Sequence, residues 1–169
     1  MKTDKKIIKY SEVTKVRDQL KSKGKSTVLT TGCYDILHLG HVIHFNYCKS
    51  KGDILFVSVG NDATIRNLKG PTRPINNEKL RTRLVAALDT VDYVVLSEEV
   101  GEKMDHNILM DLLKPNAYVV PVTDSSLEAK KQLCDQYGTK FITCHRLPPE
   151  KIKGGISSTK ISEKIGEKQ

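Results

Sequence analysis

Thr27-Val28-Leu29-Thr30-Thr31-Gly32-Cys33-Tyr34-Asp35-Ile36-Leu37-His38-Leu39-Gly40-His41 begins as a β-branched run, stops at a glycine, and ends in two histidines around a second glycine. Such a run reads as a short strand, and the segment from Val42 to Ser50, closed by Gly52, has helical spacing. The unit is therefore strand, turn, helix. His38 and His41 lie three apart, so one helix N-terminus can gather two imidazoles and several free backbone N–H groups, where the helix dipole also favours an anion. The turn is predicted to be a phosphate site aimed at a polyphosphate.

Working outward, Ser11 to Lys23 carries Val13, Val16 and Leu20 at helical spacing and stops at Gly24. Ile54-Leu55-Phe56-Val57-Ser58-Val59 is a near-continuous apolar run, as expected of a parallel strand covered on both faces. A loop is expected next, dense in Lys69, Gly70, Pro71, Arg73 and Pro74. Asn77 to Leu88 reads as a helix, Tyr93 to Leu96 as a strand, Ile108 to Leu113 as a short helix and Tyr118 to Val120 as a strand. Ser125 with Glu128 forms a capping-box signature for a helix running to Gly138, and Phe141 to Thr143 gives a fifth strand. Regular alternation with right-handed crossovers predicts an α/β, doubly wound, mainly five-stranded parallel sheet of Rossmann-like form. Ligands of such sheets sit outside the carboxyl ends of the strands, where the Gly32 to His41 turn falls.

The 169 residues, 38% of them hydrophobic, suit one domain over 1–169. The formal charge of +8 is carried by the two ends: residues 1–25 hold 9 basic and 3 acidic side chains and residues 151–169 hold 5 and 2, against 14 and 15 between them. That distribution fits solvated termini better than a basic groove, so no nucleic-acid partner is expected. Cys33, Cys48, Cys134 and Cys144 show no C-x-x-C pairing, so reduced thiols are the default. With no apolar leader after Met1 and no stretch near the ~18 apolar residues of a membrane span, no membrane partner and a cytoplasmic location are expected.

A second glycine-rich stretch, Gly154-Gly155-Ile156-Ser157-Ser158-Thr159-Lys160-Ile161, pairs with the His-x-Gly-His turn far upstream. Together the two motifs resemble the HxGH nucleotidyltransferases of the cytidylyltransferase-like superfamily. Cys33 to His38, Asn61-Asp62-Ala63 and Leu68-Lys69-Gly70-Pro71-Thr72-Arg73-Pro74-Ile75-Asn76 most resemble the adenylyltransferase half of the bifunctional heptose-phosphate kinase/adenylyltransferases. Glycerol-3-phosphate cytidylyltransferases and archaeal FAD synthetases share the two end motifs more distantly.

The resemblance implies attack of an acceptor phosphate on the α-phosphorus of a nucleoside triphosphate, with Mg²⁺, release of pyrophosphate and no covalent enzyme intermediate. Positioning and charge neutralisation carry such a reaction. On this likeness His38 and His41 contact the phosphates, His41 at the α-phosphate, with Lys69 and Arg81 as further catalytic cations. Gly32, Cys33, Tyr34, Asp35 and Gly40 line the nucleotide, Gly32 by letting the backbone approach it. Read from the residues alone, Tyr34 is a packing residue and Asp35 either orients the turn or a histidine, or is purely structural. Gly155, Ile156, Ser157, Ser158 and Thr159 form a second anion site, or else a glycine turn with a serine cap. Arg81 departs from the family pattern in having Lys79 two residues before it, where a Glu is usual.

For the acceptor, a sugar 1-phosphate such as heptose 1-phosphate comes first, with a polyol phosphate or flavin mononucleotide behind it and ATP ahead of CTP. The chain reads Val120-Pro121-Val122-Thr123-Asp124-Ser125 where the heptose enzymes carry a Lys-Gly-Gly-Asp-Tyr-like segment. His106, His145 and Arg146 lie in segments that border an acceptor pocket, with surface placement the default, and His44 has no assigned role. A homodimer is expected from the resemblance alone. A non-catalytic nucleotide-binding regulator is the alternative of another class.

Overall fold

The computed structural model describes residues 3–100, 106–145 and 161. The five expected strands are all present: β2 (Thr27–Gly32), β3 (Ile54–Val59), β4 (Tyr93–Leu96), β5 (Ala117–Pro121) and β6 (Lys140–Cys144). A sixth, β1 (Ile7–Ile8), pairs with β4 at one edge, giving the all-parallel order β1-β4-β3-β2-β5-β6. Two residues are too few to show any periodicity, which is why β1 is invisible in the sequence. The basic N-terminal segment is thus partly built into the fold rather than merely solvated: buried Lys6 donates from Nζ to the Leu88 carbonyl at 2.9 Å.

Six helices are found among the described residues: α1 (Tyr10–Ser22), α2 (Leu39–Lys49), α3 (Asp62–Lys69), α4 (Glu78–Ala86), α5 (Asn107–Leu113) and α6 (Leu127–Tyr137). Helix α3 occupies part of the expected loop; Asn61 caps it by accepting from Thr64 N at 2.8 Å, and Gly70 ends it. Helix α2 starts at Leu39, so the histidine turn is itself the helix start. The expected capping box on α6 is absent: Ser126 is the cap, and its backbone N–H goes to Asp124 Oδ1 at 2.9 Å.

The sheet separates two apolar clusters. Val28, Leu55, Val57, Val94 and Val119 meet Phe45 and Cys48 of α2 and Val85 of α4 on one face. Leu29, Phe56, Val95, Tyr118 and Val120 meet Val13, Leu109, Met110, Leu113 and Cys134 of α1, α5 and α6 on the other. Each such side chain, fully buried, contributes about 1.5–3 kcal/mol.

The chain runs outward through β2, β3 and β4, then returns to place β5 beside β2, so the direction of winding switches between β2 and β5. These two strands pair at only two positions, Val28 with Ala117 and Leu29 with Tyr118, whereas β2 pairs with β3 at six. The ladder between them stops short of their carboxyl ends, at the switch point where such sheets hold ligands.

Candidate active site

The first turn of α2 is organised by its own histidines. His38 is the N-cap, in extended conformation, and its Nδ1 accepts from Gly40 N at 3.1 Å. A Cβ on Gly40 would come within 2.9 Å of the His38 ring, so the cap requires glycine there. The His38 and His41 rings stack with centroids 3.9 Å apart and 27° between planes. Two imidazoles therefore stand together at the N-terminus of an eleven-residue helix, at the end of β2, where the helix dipole favours phosphate oxygens.

Tyr34 is buried and holds φ at 49°, a left-handed conformation that costs a bulky residue roughly 1–3 kcal/mol. Its ring stands edge-on to His41 at 5.4 Å and packs on Phe45 at 5.0 Å. The same ring lies across Gly32, where a Cβ would meet Cζ at 2.7 Å. Gly32 thus makes room for Tyr34, a different service from the expected approach of backbone to nucleotide. Tyr34 is the packing residue anticipated, with the added effect of buttressing His41.

Asp35 resolves toward orienting the turn. Its carboxylate, buried, accepts from Ile75 N and Asn76 N at 2.9 Å and pairs with Arg73 Nη2 at 2.8 Å. The β2–α2 turn and the segment after Gly70 are therefore one unit. Cys33 is partly exposed in this turn, and its carbonyl accepts from Arg81.

Arg81 is fully buried. Its guanidinium donates to the Asn76, Cys33 and Gly60 carbonyls and to Asp62 Oδ1, the last at 2.8 Å. With these bonds made, Arg81 ties the ends of β2 and β3 to the start of α3, and the geometry gives it a positioning role in place of the expected phosphate contact. Lys69, by contrast, is exposed in the last turn of α3, on a helix end rather than in the expected loop. Gly155, Ile156, Ser157, Ser158, Thr159 and Arg146 lie outside the described residues.

His44, to which the sequence assigns nothing, anchors α2 to the sheet. Thr30 Oγ1 donates to the Val119 carbonyl at 3.0 Å, so at 2.9 Å it accepts from His44 Nε2–H, leaving Nδ1 to face Cys144 Sγ at 3.4 Å. Burial pushes the neighbouring Cys48 thiol up to about 12. The spacing from His41 places His44 on the same helix, but its partner Thr30 is a tertiary contact that no local pattern announces. Beside it, a pocket of about 390 Å³ runs from Gly40 past His44 and Tyr47 to Thr143 and His145.

No disulfide joins any of the four cysteines, and no described helix is long and apolar enough to cross a membrane.

The histidine turn and helix at the switch of a parallel sheet, with the strand before them from Leu29 onward, fall within residues 29–164, the span that matches the cytidylyltransferase-like family model. The chain belongs to the cytidylyltransferase-like family, and with it to the nucleotidyltransferases. It is 35% identical over 156 residues to the bifunctional protein HldE of Sulfurimonas denitrificans, covering 92% of this chain and 30% of that protein. It is 35% identical over 165 residues to the HldE protein of Geobacter metallireducens, covering 96% and 31%. The chain spans about a third of the length of these curated relatives. Among solved structures, a lipopolysaccharide core biosynthesis protein from Thermoplasma volcanium superposes with TM-score 0.64 at 29% identity, over 74% of this chain and all of that one. The pantoate-beta-alanine ligase of Francisella tularensis shares the fold, with TM-score 0.63 at 21% identity, over 95% of this chain and 77% of that one.

Proposed function

We propose that this chain transfers a nucleoside monophosphate, AMP in preference, from a nucleoside triphosphate to a sugar phosphate such as heptose 1-phosphate. The observation that carries this reading is the stacked His38 and His41 pair at the α2 N-terminus, at the switch point between β2 and β5. An oxygen of the acceptor phosphate attacks the α-phosphorus; the bond from that phosphorus to the β-phosphate bridging oxygen breaks, and pyrophosphate leaves. His41 donates to the α-phosphate oxygens as charge builds there, and His38 shares the load through the stack. Lys69 reaches in from the end of α3 to the departing phosphates. The pocket between Gly40 and His145 takes the nucleoside. The likeness to the HldE proteins and to the lipopolysaccharide core biosynthesis protein of Thermoplasma volcanium supports a sugar-phosphate acceptor.

Mg²⁺ would enter with the triphosphate rather than on ligands of the turn. The Asp35 carboxylate is committed to Arg73 and two backbone N–H groups, and no cluster of three or more metal-ligating side chains occurs among the described residues. Mg²⁺ typically keeps phosphate oxygens and waters as ligands. Bound so, it would neutralise the phosphates, while the imidazoles and Lys69 do the orienting. A homodimer in the cytoplasm completes the proposal, the dimer being checked by sedimentation at micromolar concentration.

The deciding experiment incubates the protein with Mg²⁺, each of several nucleoside triphosphates and a panel of phosphorylated acceptors, and measures pyrophosphate. Release that needs both substrates is expected. Nucleotide binding without turnover on any acceptor would indicate a regulator instead, and a trapped nucleotidyl-enzyme would overturn the direct-transfer chemistry.

A further inference from the structure

His106, expected at the surface, is 2% exposed at the start of α5, and neither ring nitrogen has a hydrogen-bond partner among the described residues. Buried polar groups are nearly always paired, and an orphaned one marks a place where a partner is missing. An aromatic ring and two opposite charges lie near it. The Tyr118 ring stands edge-on to it, centroids 6.5 Å apart and planes at 78°. The Tyr118 hydroxyl lies 2.8 Å from Thr31 Oγ1, and Lys130 Nζ, 6.0 Å from the Tyr118 ring centre, pairs with Asp124 Oδ2 at 2.7 Å.

These groups come from the second-last residue of β2, from β5 and the turn after it, and from the first turns of α5 and α6. They therefore gather at the carboxyl ends of the two strands, on the sheet face opposite α2. Burial first, then the Lys130 ammonium, push the His106 imidazole down to about 3 against the opposing pull of Asp124. The ring is neutral at physiological pH, with one N–H donor and one bare acceptor nitrogen, and the Lys130 and Asp124 charges cancel. A phosphate finds no net positive charge there. A hydroxyl, which both donates and accepts, matches the ring nitrogens and the Thr31–Tyr118 hydroxyl pair.

We infer that His106, with the Thr31–Tyr118 hydroxyl pair, forms the subsite for the uncharged, hydroxyl-bearing part of the phosphorylated acceptor and selects its hydroxyl pattern. This rests on the nucleotidyl-transfer reading above.

The test follows the five histidines of the ¹⁵N-histidine-labelled full chain by NMR while heptose 1-phosphate is added, with His106→Phe assigning the signal and being assayed beside the wild type. Expected are a shift of the His106 ring nitrogens on addition, a rise of about tenfold or more in the acceptor KM of His106→Phe, and an unchanged ATP KM. The thermal midpoint of the variant stays level or rises, because an apolar ring replaces unsatisfied polar atoms. Should the Phe variant fail to fold, His106→Asn, which keeps a donor and an acceptor, is expected to retain part of the acceptor affinity. Turnover with silent His106 nitrogens, or with an unaltered acceptor KM in the folded variant, overturns the subsite and leaves the reaction standing. Shifted nitrogens without turnover uphold the subsite and overturn the reaction, and neither signal overturns both.

Discussion

The imidazoles of His38 and His41 stack 3.9 Å apart, and the same His38 ring caps the helix that carries His41. Placement of the proposed catalytic pair and helix initiation are therefore one contact. His41→Ala is expected to lower kcat by ~10²–10³-fold, as removal of one preorganised transition-state donor does, with a smaller effect on nucleotide binding. His38→Ala should add a stability loss of about 0.5–2 kcal/mol from the missing cap. The double variant should be little slower than the worse single one, since the pair acts as a unit. Pyrophosphate release and urea denaturation measure the two effects; a folded, nearly fully active His41→Ala protein would show the site to be elsewhere.

Lys69 and Arg81 should separate kinetics from stability. Lys69 is exposed, so Lys69→Ala should stay within about 0.5 kcal/mol of wild-type stability while turnover falls. Arg81→Ala should lose about 3–5 kcal/mol, because Asp62 and three carbonyls are left without their buried partner. Denaturation midpoints beside initial rates decide it, and a stable but inactive Arg81→Ala protein would return Arg81 to the phosphates.

Gly32→Ala forces the Tyr34 ring from its seat, and with it the edge contact to His41. Activity should fall more than stability. The damage should be partly relieved in Gly32→Ala/Tyr34→Ala, with a coupling of about 0.5–3 kcal/mol in a double-mutant cycle. Strict additivity would mean that the ring and the glycine do not communicate.

Much of the fold is legible in the sequence because five strands and most helices carry their own periodicity and breakers. What escapes is decided by tertiary pairing. Ile7–Ile8 becomes a strand only because β4 offers an edge, and Asp62–Lys69 is too short and polar to stand out from the glycine and proline that follow it. The His-x-Gly-His turn is readable since spacing alone brings its rings together. The fate of Arg81 and His106 depends on which carbonyls and helices surround them, and that information is not local.

The neutral His106 gives the fold a measurable acid sensitivity. Its folded value, about 3, lies below the ordinary value of 6.5 that holds in the unfolded chain. The unfolded state therefore takes up the proton first, so the contribution is present in full above pH 6.5 and is lost as pH falls from 6.5 toward 3. Wild-type stability should drop by roughly 1 kcal/mol per pH unit more steeply than that of His106→Phe between pH 6.5 and 5. Parallel urea midpoints for the two proteins over that range would refute a buried neutral imidazole.

Chelation should abolish pyrophosphate release and added Mg²⁺ restore it, as metal supplied with the triphosphate requires. With one accepted sugar phosphate, kcat/KM should favour ATP over CTP, since a site that hydrogen-bonds one base leaves polar groups unpaired with another. A tenfold preference for CTP would move the reading to the cytidylyltransferases.

The division of the interior by the sheet carries a consequence for how such a protein can change over generations. Tyr34 and Phe45, which pack around the histidine turn, belong to one apolar cluster, while Tyr118 belongs to the other. Substitutions at sites without shared partners act nearly independently. On the proposed reading, a lineage can explore new acceptors through the residues around Tyr118 with little effect on its handling of triphosphate, so that no intermediate ancestor need be inactive.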